Sequence, residues 1–248
     1  MPRPPLHHLA RTALCALSTL AVAATAPAWA APSCRSITAG APPTLVELYT
    51  SEGCSSCPPA DRWLSSLKGR PDVLALAFHV NYWDSLGWVD RFASPEATAR
   101  QRDLARTDGS GQVYTPQVRV DGRDWTHWPR LPAGATPSPV TLALQREGEL
   151  VTASVIARVG APARLAGYWA VLEDGYQSAV RAGENAGETL RHDHVVRLYR
   201  PVAAWPASQE GRAQLTVSVG DPAHPRRVVF VVTDAETAKP LQALALGC

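Results

Sequence analysis

The chain has 248 residues, 46% of them hydrophobic and 19% charged, which excludes intrinsic disorder and supplies apolar material for the core of one or two domains. Its 17 glycines have no collagen-like period, and its 22 prolines point to loops and turns rather than long helices. Lys and Arg total 24 against 22 for Asp and Glu, with no basic stripe, so nucleic acid is not an expected partner.

Residues 1–30 read as a secretory signal peptide. Arg3, His7, His8 and Arg11 precede an apolar run over residues 12–26 that contains no acid, and Ala28-Trp29-Ala30 offers small residues at both positions a signal peptidase reads. About fifteen apolar residues are too few to span a bilayer. An exported chain without membrane attachment after cleavage is expected, in the periplasm or secreted. Losing Arg3 and Arg11 leaves 22 basic and 22 acidic groups, a neutral mature protein. Cleavage also removes Cys15. Cys34, Cys54, Cys57 and Cys248 remain, an even number suited to pairing in an oxidising compartment. Cys54 and Cys57 form a CxxC, which leaves Cys34 and Cys248, near the two ends of the mature chain, as the other pair; chain ends are often close in space.

Taken in order, residues 44–50 read as a buried strand, and Ser51-Glu52-Gly53 turns into the CxxC. Ala60, Trp63, Leu64 and Leu67 then share one helical face, with Asp61 in the first turn where the dipole favours an acid. Residues 72–80 form a second apolar strand and 81–93 an aromatic-rich connection. Ser94-Pro95-Glu96 opens a helix running to about Arg106. Residues 117–120, the turn Asp121-Gly122 and residues 123–128 make a hairpin. Residues 131–139 are rich in Pro, Gly and Ala and read as a linker. Beyond them, about seven short apolar or alternating runs predict a sandwich.

The CxxC carries the chemistry. Placed after a strand and ahead of a helix, it is a thioredoxin-like redox signature. Two sulfurs three residues apart can close a disulfide, and a helix N-terminus stabilises a thiolate, which makes Cys54 the nucleophile and Cys57 the resolving thiol. Pro58-Pro59 works against this, because residues before proline avoid helical geometry; a helix starting at Pro59 would leave the CxxC in the turn ahead of it. Thr115-Pro116 opens a strand after the second helix, where thioredoxin-like folds set a cis-proline against the disulfide. Glu47 interrupts an apolar strand seven residues before Cys54. Buried, its carboxyl would exchange protons with Cys57; at a wet edge it would do nothing. Trp83 and Trp88 either wall the site or belong to the core. An inert bridge and a metal half-site are the other readings of the CxxC. With no second CxxC and the remaining histidines outside zinc-finger spacing, neither a metal nor a cofactor is assigned.

The run Val46-Glu47-Leu48-Tyr49-Thr50-Ser51-Glu52-Gly53-Cys54-Ser55-Ser56-Cys57-Pro58-Pro59-Ala60-Asp61 resembles the signature of secreted bacterial thioredoxin-like proteins catalogued as domain of unknown function 1223. His79-Val80-Asn81-Tyr82-Trp83-Asp84, Val113-Tyr114-Thr115-Pro116-Gln117, Gly183-Glu184-Asn185-Ala186-Gly187 and His192-Asp193-His194-Val195-Val196-Arg197 extend the resemblance over most of the mature chain. It implies an α/β thioredoxin-like domain followed by a mostly-β, sandwich-like C-terminal domain, and no particular substrate. The expected division is a signal peptide over residues 1–30, a CxxC domain over 31–130, a linker over 131–139 and a β-rich domain over 140–248. No helix follows the hairpin to close the first sheet, so the β-rich half is a candidate cover for that face. Two functions survive. One is an exported thiol–disulfide oxidoreductase acting on protein or small-molecule disulfides and thiols. The other is a non-enzymatic binding protein for a protein partner or a soft metal such as copper, with His79, His127, His192 and His194 as extra ligands; a solvated surface accounts more simply for His192-Asp193-His194.

Overall fold

The computed structural model describes residues 33–134 and 136–248 together with Met1 and Pro2; the expected signal peptide and the start of the mature chain at Ala31 fall on residues outside these. The chain runs through β1 (Ser33–Thr38), β2 (Thr44–Thr50), α1 (Pro58–Ser66), β3 (Val73–His79), a 3-10 turn at Asp84–Leu86 and α2 (Pro95–Thr107). The hairpin of β4 (Gln117–Val120) and β5 (Arg123–Asp124) follows. From there every element is a strand: β6 (Val140–Glu147), β7 (Leu150–Ala157), β8 (Arg164–Glu173), β9 (Tyr176–Ala179), β10 (Thr189–His192), β11 (Val195–Pro206), β12 (Gly211–Thr216), β13 (Arg226–Asp234) and β14 (Pro240–Leu246).

Local chemistry accounts for the elements near the site. Helix α2 starts where Ser94 caps it, the side-chain oxygen accepting from the Ala97 N–H at 3.1 Å, with Pro95 in the first turn. Ala97, Gln101, Leu104 and Ala105 are its buried stripe. Asp121 and Gly122, at φ 49° and 79°, supply the two left-handed residues that a tight two-residue hairpin between β4 and β5 requires. Strands β6 and β7 alternate buried and more open positions, as strands with one face on a core do.

An eight-stranded sheet runs in the order β14-β13-β8-β11-β3-β2-β4-β5, a four-stranded sheet in the order β1-β6-β7-β12, and β9 and β10 form a two-stranded ribbon. The large sheet is parallel only where β3 meets β2 and β11. The expected α/β thioredoxin-like domain followed by a sandwich-like domain is therefore overturned: the fold is mostly β, with two α-helices among the described residues, and its principal sheet draws strands from both halves of the chain. The edge of β3 accepts Val195 of β11 opposite Ala77, and β8, β13 and β14 carry the sheet outward from there. Hydropathy patterns reveal which face a strand buries, not which remote strand it pairs with.

Both faces of the large sheet are covered. Val46, Leu48, Ala75 and Ala77 pack on Ala60 and Leu64 of α1. Register places Ala77, Val195 and Glu173 abreast, so Val171 and Trp169, two and four residues along β8, share that face. There they pack against Leu142, Leu144 and Val155 of the four-stranded sheet. This second sheet lies beside α1 on the same side, where a closing helix was missing from the sequence pattern. On the opposite face, Leu45, Tyr49, Leu76 and Phe78 join Ala97 and Leu104 of α2, with Tyr168 and Leu172 of β8. Cys34 of β1 and Cys248, beyond β14, are joined in a disulfide across 214 residues of sequence.

Candidate functional site

The site lies where β2 turns into α1. The Cys54 N–H donates to the Ser51 carbonyl at 3.2 Å and the Cys57 N–H to the Cys54 carbonyl at 3.2 Å. A side chain at position 53 would crowd the turn, because its Cβ would stand 3.0 Å from the Cβ of Trp83. Cys57 caps α1 in helical geometry, and its carbonyl accepts from Ala60 (2.9 Å) and Asp61 (3.1 Å). The helix thus starts at Pro58 rather than Pro59; a proline there costs no bond, since the first N–H groups of a helix lack internal partners. Cys54 and Cys57 are bonded as a disulfide, their Cα atoms 5.4 Å apart.

Both cysteines are 0% exposed. Only Ser55 and Ser56 of the motif reach solvent, and the Ser56 hydroxyl is 3.4 Å from the Cys54 sulfur. The cover comes from the loop between β9 and β10. The Asn185 amide donates to the carbonyls of Glu52 (2.8 Å) and Cys54 (3.0 Å). The Glu184 carboxylate accepts from the Ser55 N–H (3.0 Å) and hydroxyl (2.8 Å). Trp83 and Trp88 both belong to the surround: the Trp83 indole donates to Thr115 Oγ1 at 2.8 Å, and the Trp88 indole to Glu52 Oε2 at 2.7 Å. The Thr115–Pro116 bond is cis. Through Trp83, the Thr115-Pro116 segment adjoins the CxxC turn.

Glu47 stands elsewhere. Side chains alternate along β2, and Glu47 shares the α2 face with Leu45 and Tyr49 rather than the α1 face with Val46 and Leu48. There it accepts from Arg100 of α2 at 2.5 Å and from the Tyr168 hydroxyl at 2.8 Å. The strand that carries it separates it from Cys57.

The ionisable groups on the cysteine side are three acids that sequence reasoning did not select as site residues and two histidines it named only as metal ligands. Asp61 extends from the first turn of α1, His79 ends β3, His192 ends β10, and Glu52 and Asp90 come from the loops; all five are at least nine-tenths buried. His79 Nδ1 is 2.7 Å from Asp90 Oδ2, which also accepts the Glu52 N–H at 2.9 Å. His192 Nε2 is 3.1 Å from Glu52 Oε1, and the two imidazoles lie 5.1 Å apart. Burial depresses the His79 imidazolium, yet Asp90 beside it, joined by Asp61 and Glu52, outweighs this and lifts it above the ordinary histidine range. Burial likewise acts to raise Asp90, but His79 holds it down at about 2. Glu52, against its burial, is lowered by hydrogen bonds that include those from His192 and Trp88. Burial raises Asp61 and outweighs the opposing pull of His79, His192 and the Thr50 hydroxyl. The available signal was positional: Asp61 lies four residues after Cys57, one helical turn along the same face.

The four histidines considered as soft-metal ligands do not assemble. His79 and His192 converge, His194 Nδ1 accepts from Arg227 at 2.8 Å, and His127 packs on Trp125. Among the described residues, no group of three or more His, Cys, Asp or Glu is arranged to hold a metal ion.

A family model described as "Protein of unknown function (DUF1223)" matches residues 45–233. A structural-genomics crystal structure of a protein from Agrobacterium tumefaciens is similar to this chain at 26% identity and a TM-score of 0.62, covering 83% of this chain and 94% of that one. HBP35 of Porphyromonas gingivalis shares the fold at 14% identity and a TM-score of 0.54, over 84% of this chain and 75% of its own. No curated protein matches the chain.

Proposed function

The chain belongs to the family of proteins of unknown function DUF1223, which lends it no activity, and from the geometry of its own site we propose that it is an exported thiol–disulfide oxidoreductase. The observation that carries this reading is the Cys54–Cys57 disulfide at the N-cap of α1, set over a buried bed of acids and imidazoles. A bridge with only a structural task would gain nothing from that bed, whereas thiol exchange needs a charged sulfur stabilised and a proton moved. Two disulfides in one chain fit an oxidising compartment, in keeping with a signal peptide over residues 1–30 and a periplasmic or secreted location.

Cys54 is the attacking residue, because its sulfur is 3.4 Å from the hydroxyl of the exposed Ser56, a donor to the thiolate. Cys57 resolves the mixed disulfide from the helix side. Thr115 and Pro116, on the flank held by Trp83, form the surface on which a protein or small-molecule substrate lies. Entry requires the Glu184–Asn185 cover to move, since neither sulfur is accessible beneath it.

The test is exchange with a model disulfide. Cys54→Ala abolishes it, and Cys57→Ala accumulates a mixed disulfide visible by mass spectrometry, because nothing remains to release the substrate. Trapping by Cys54→Ala instead would reverse the two roles, and exchange at the wild-type rate in both variants would end the reading.

A further inference from the structure

Exchange at a buried CxxC leaves one step without an agent. When a substrate thiolate attacks the Cys54 sulfur, the Cys54–Cys57 bond breaks and its electron pair stays on Cys57. Cys57 is 0% exposed, so no bulk water is at hand to protonate the departing thiolate. An uncompensated anion in that position is costly. Glu47 is on the other face of β2, paired with Arg100.

We propose, on the footing of the oxidoreductase reading, that Asp61 is the acid that protonates Cys57 when the disulfide opens and the base that takes the proton back when it closes, with His79 and His192 as positioning residues. The Asp61 N–H donates to the Cys57 carbonyl at 3.1 Å, the i to i+4 bond of a helix. Side chains so related lie on one face, with Cβ atoms about 5–6 Å apart. Asp61 is among the buried residues of α1. Charged groups reach Asp61 from each element behind it: His79 on β3, His192 on β10, and Asp90 on the loop before α2. Each imidazole is tied at one nitrogen to a different carboxylate, His79 Nδ1 to Asp90 and His192 Nε2 to Glu52. The remaining nitrogens, His79 Nε2 and His192 Nδ1, are buried and without a hydrogen-bond partner. Glu52 and Asp90 thus hold the two histidines by direct hydrogen bonds, while Asp61, which lies near both imidazoles and the Thr50 hydroxyl without such a bond to either ring, is the acid left to carry the proton.

The atoms balance. Attack forms a substrate–Cys54 disulfide, and the proton passes from the Asp61 carboxyl to the Cys57 sulfur. A second substrate thiolate then releases Cys54, and the substrate has lost the two electrons that the cysteine pair has gained. In the reverse direction the Asp61 carboxylate deprotonates Cys57, which attacks the mixed disulfide.

The experiment follows reduction of the Cys54–Cys57 disulfide in the full chain by dithiothreitol, with rates divided by reductant thiolate concentration across pH. In the wild type this normalised rate falls as Asp61 ionises with rising pH. Asp61→Asn lowers the acid-side rate at least tenfold, a conservative share of a general-acid effect, and removes the pH limb. Asp61→Glu, which keeps an acid one methylene longer, retains the limb at an intermediate rate and serves as the arm to read should the asparagine variant fold poorly. Equal rates and profiles in wild type and Asp61→Asn, or loss of the limb in Asp61→Glu, overturn the assignment while the oxidoreductase reading stands. A wild-type disulfide that dithiothreitol does not reduce in the folded protein overturns both.

Discussion

Cys34–Cys248 and Cys54–Cys57 are both closed, yet they lie in opposite surroundings. The first joins residues 214 apart; Cys34 packs against the core shared by the four-stranded and eight-stranded sheets, and Cys248 is exposed, its carbonyl accepting from Arg146 at 3.1 Å. The second spans three residues, gains little from loop closure, and rests on Glu52, Asp61, His79, Asp90 and His192. A bridge that restrains a chain needs length and inert neighbours, and a bridge that reacts needs proton-bearing ones. The difference is one of loop entropy against local electrostatics.

The largest effect should come from removing the long bridge. In the chain-entropy model, Cys34→Ser with Cys248→Ser lowers unfolding free energy by about 5 kcal/mol, against about 2 kcal/mol for Cys54→Ser with Cys57→Ser. Urea unfolding of the two double variants checks this, and the first pair of substitutions should leave exchange at Cys54 unchanged in the folded protein. Equal losses would break the comparison.

The next effect separates the buried charges on the two faces of β2. Asp90→Asn strips His79 of its partner and Glu47→Gln strips Arg100, and each costs about 3 kcal/mol, the usual order for breaking a buried pair. Only Asp90→Asn should also change the pH profile of exchange, because Glu47 does not share the cysteine side. A changed profile in Glu47→Gln would show coupling through the strand.

Acid should act first near the ribbon that carries the site. Burial, and then Arg227, push His194 down to about 4, so it is neutral in the fold. A histidine depressed in this way contributes stability that is complete above its ordinary value near 6.5 and is lost as pH falls toward 4, on the order of 2 kcal/mol. Urea midpoints between pH 7 and 4 should fall in the wild type and fall less in His194→Gln.

The smallest effect sharpens the comparison at the cover. Glu184→Ala removes two exposed hydrogen bonds to Ser55 and should speed thiol exchange at Cys54 by about two- to fivefold, the population change expected from weak exposed bonds. Stopped-flow reaction with a chromogenic disulfide reads this directly, and a slower variant would mean that Glu184 serves the chemistry instead of hindering access.

Much of the local structure was legible. The α2 start at Ser94-Pro95, the Asp121-Gly122 turn and the CxxC junction all follow from residues within a few positions of each other. Strands β1 and β10 went unread, since Cys34-Arg35-Ser36-Ile37 and Thr189-Leu190-Arg191-His192 carry few apolar residues and owe their conformation to the strands they pair with, for β1 one about a hundred residues away. The site divided the same way. Cys54, Cys57 and the Thr115-Pro116 segment follow from local motifs. Glu47 drew attention as an acid in an apolar strand, but only three-dimensional pairing shows that Arg100 and Tyr168 engage it. Asp61 was read as a helix-dipole residue, because His79 and His192 become its neighbours only after β3 and β10 are in place.

Asn185 reaches back to the Cys54 carbonyl over 131 residues of sequence, which gives the site a timetable. At ordinary rates of synthesis the chain needs on the order of 10 seconds to add that many residues. Throughout that interval a nascent CxxC has no Asn185 or Glu184 above it and no His192 beneath it. On the oxidoreductase reading, its sulfurs then meet whatever oxidant or reductant the surroundings hold, and the redox state in which the protein starts life is set by that environment before the cover closes.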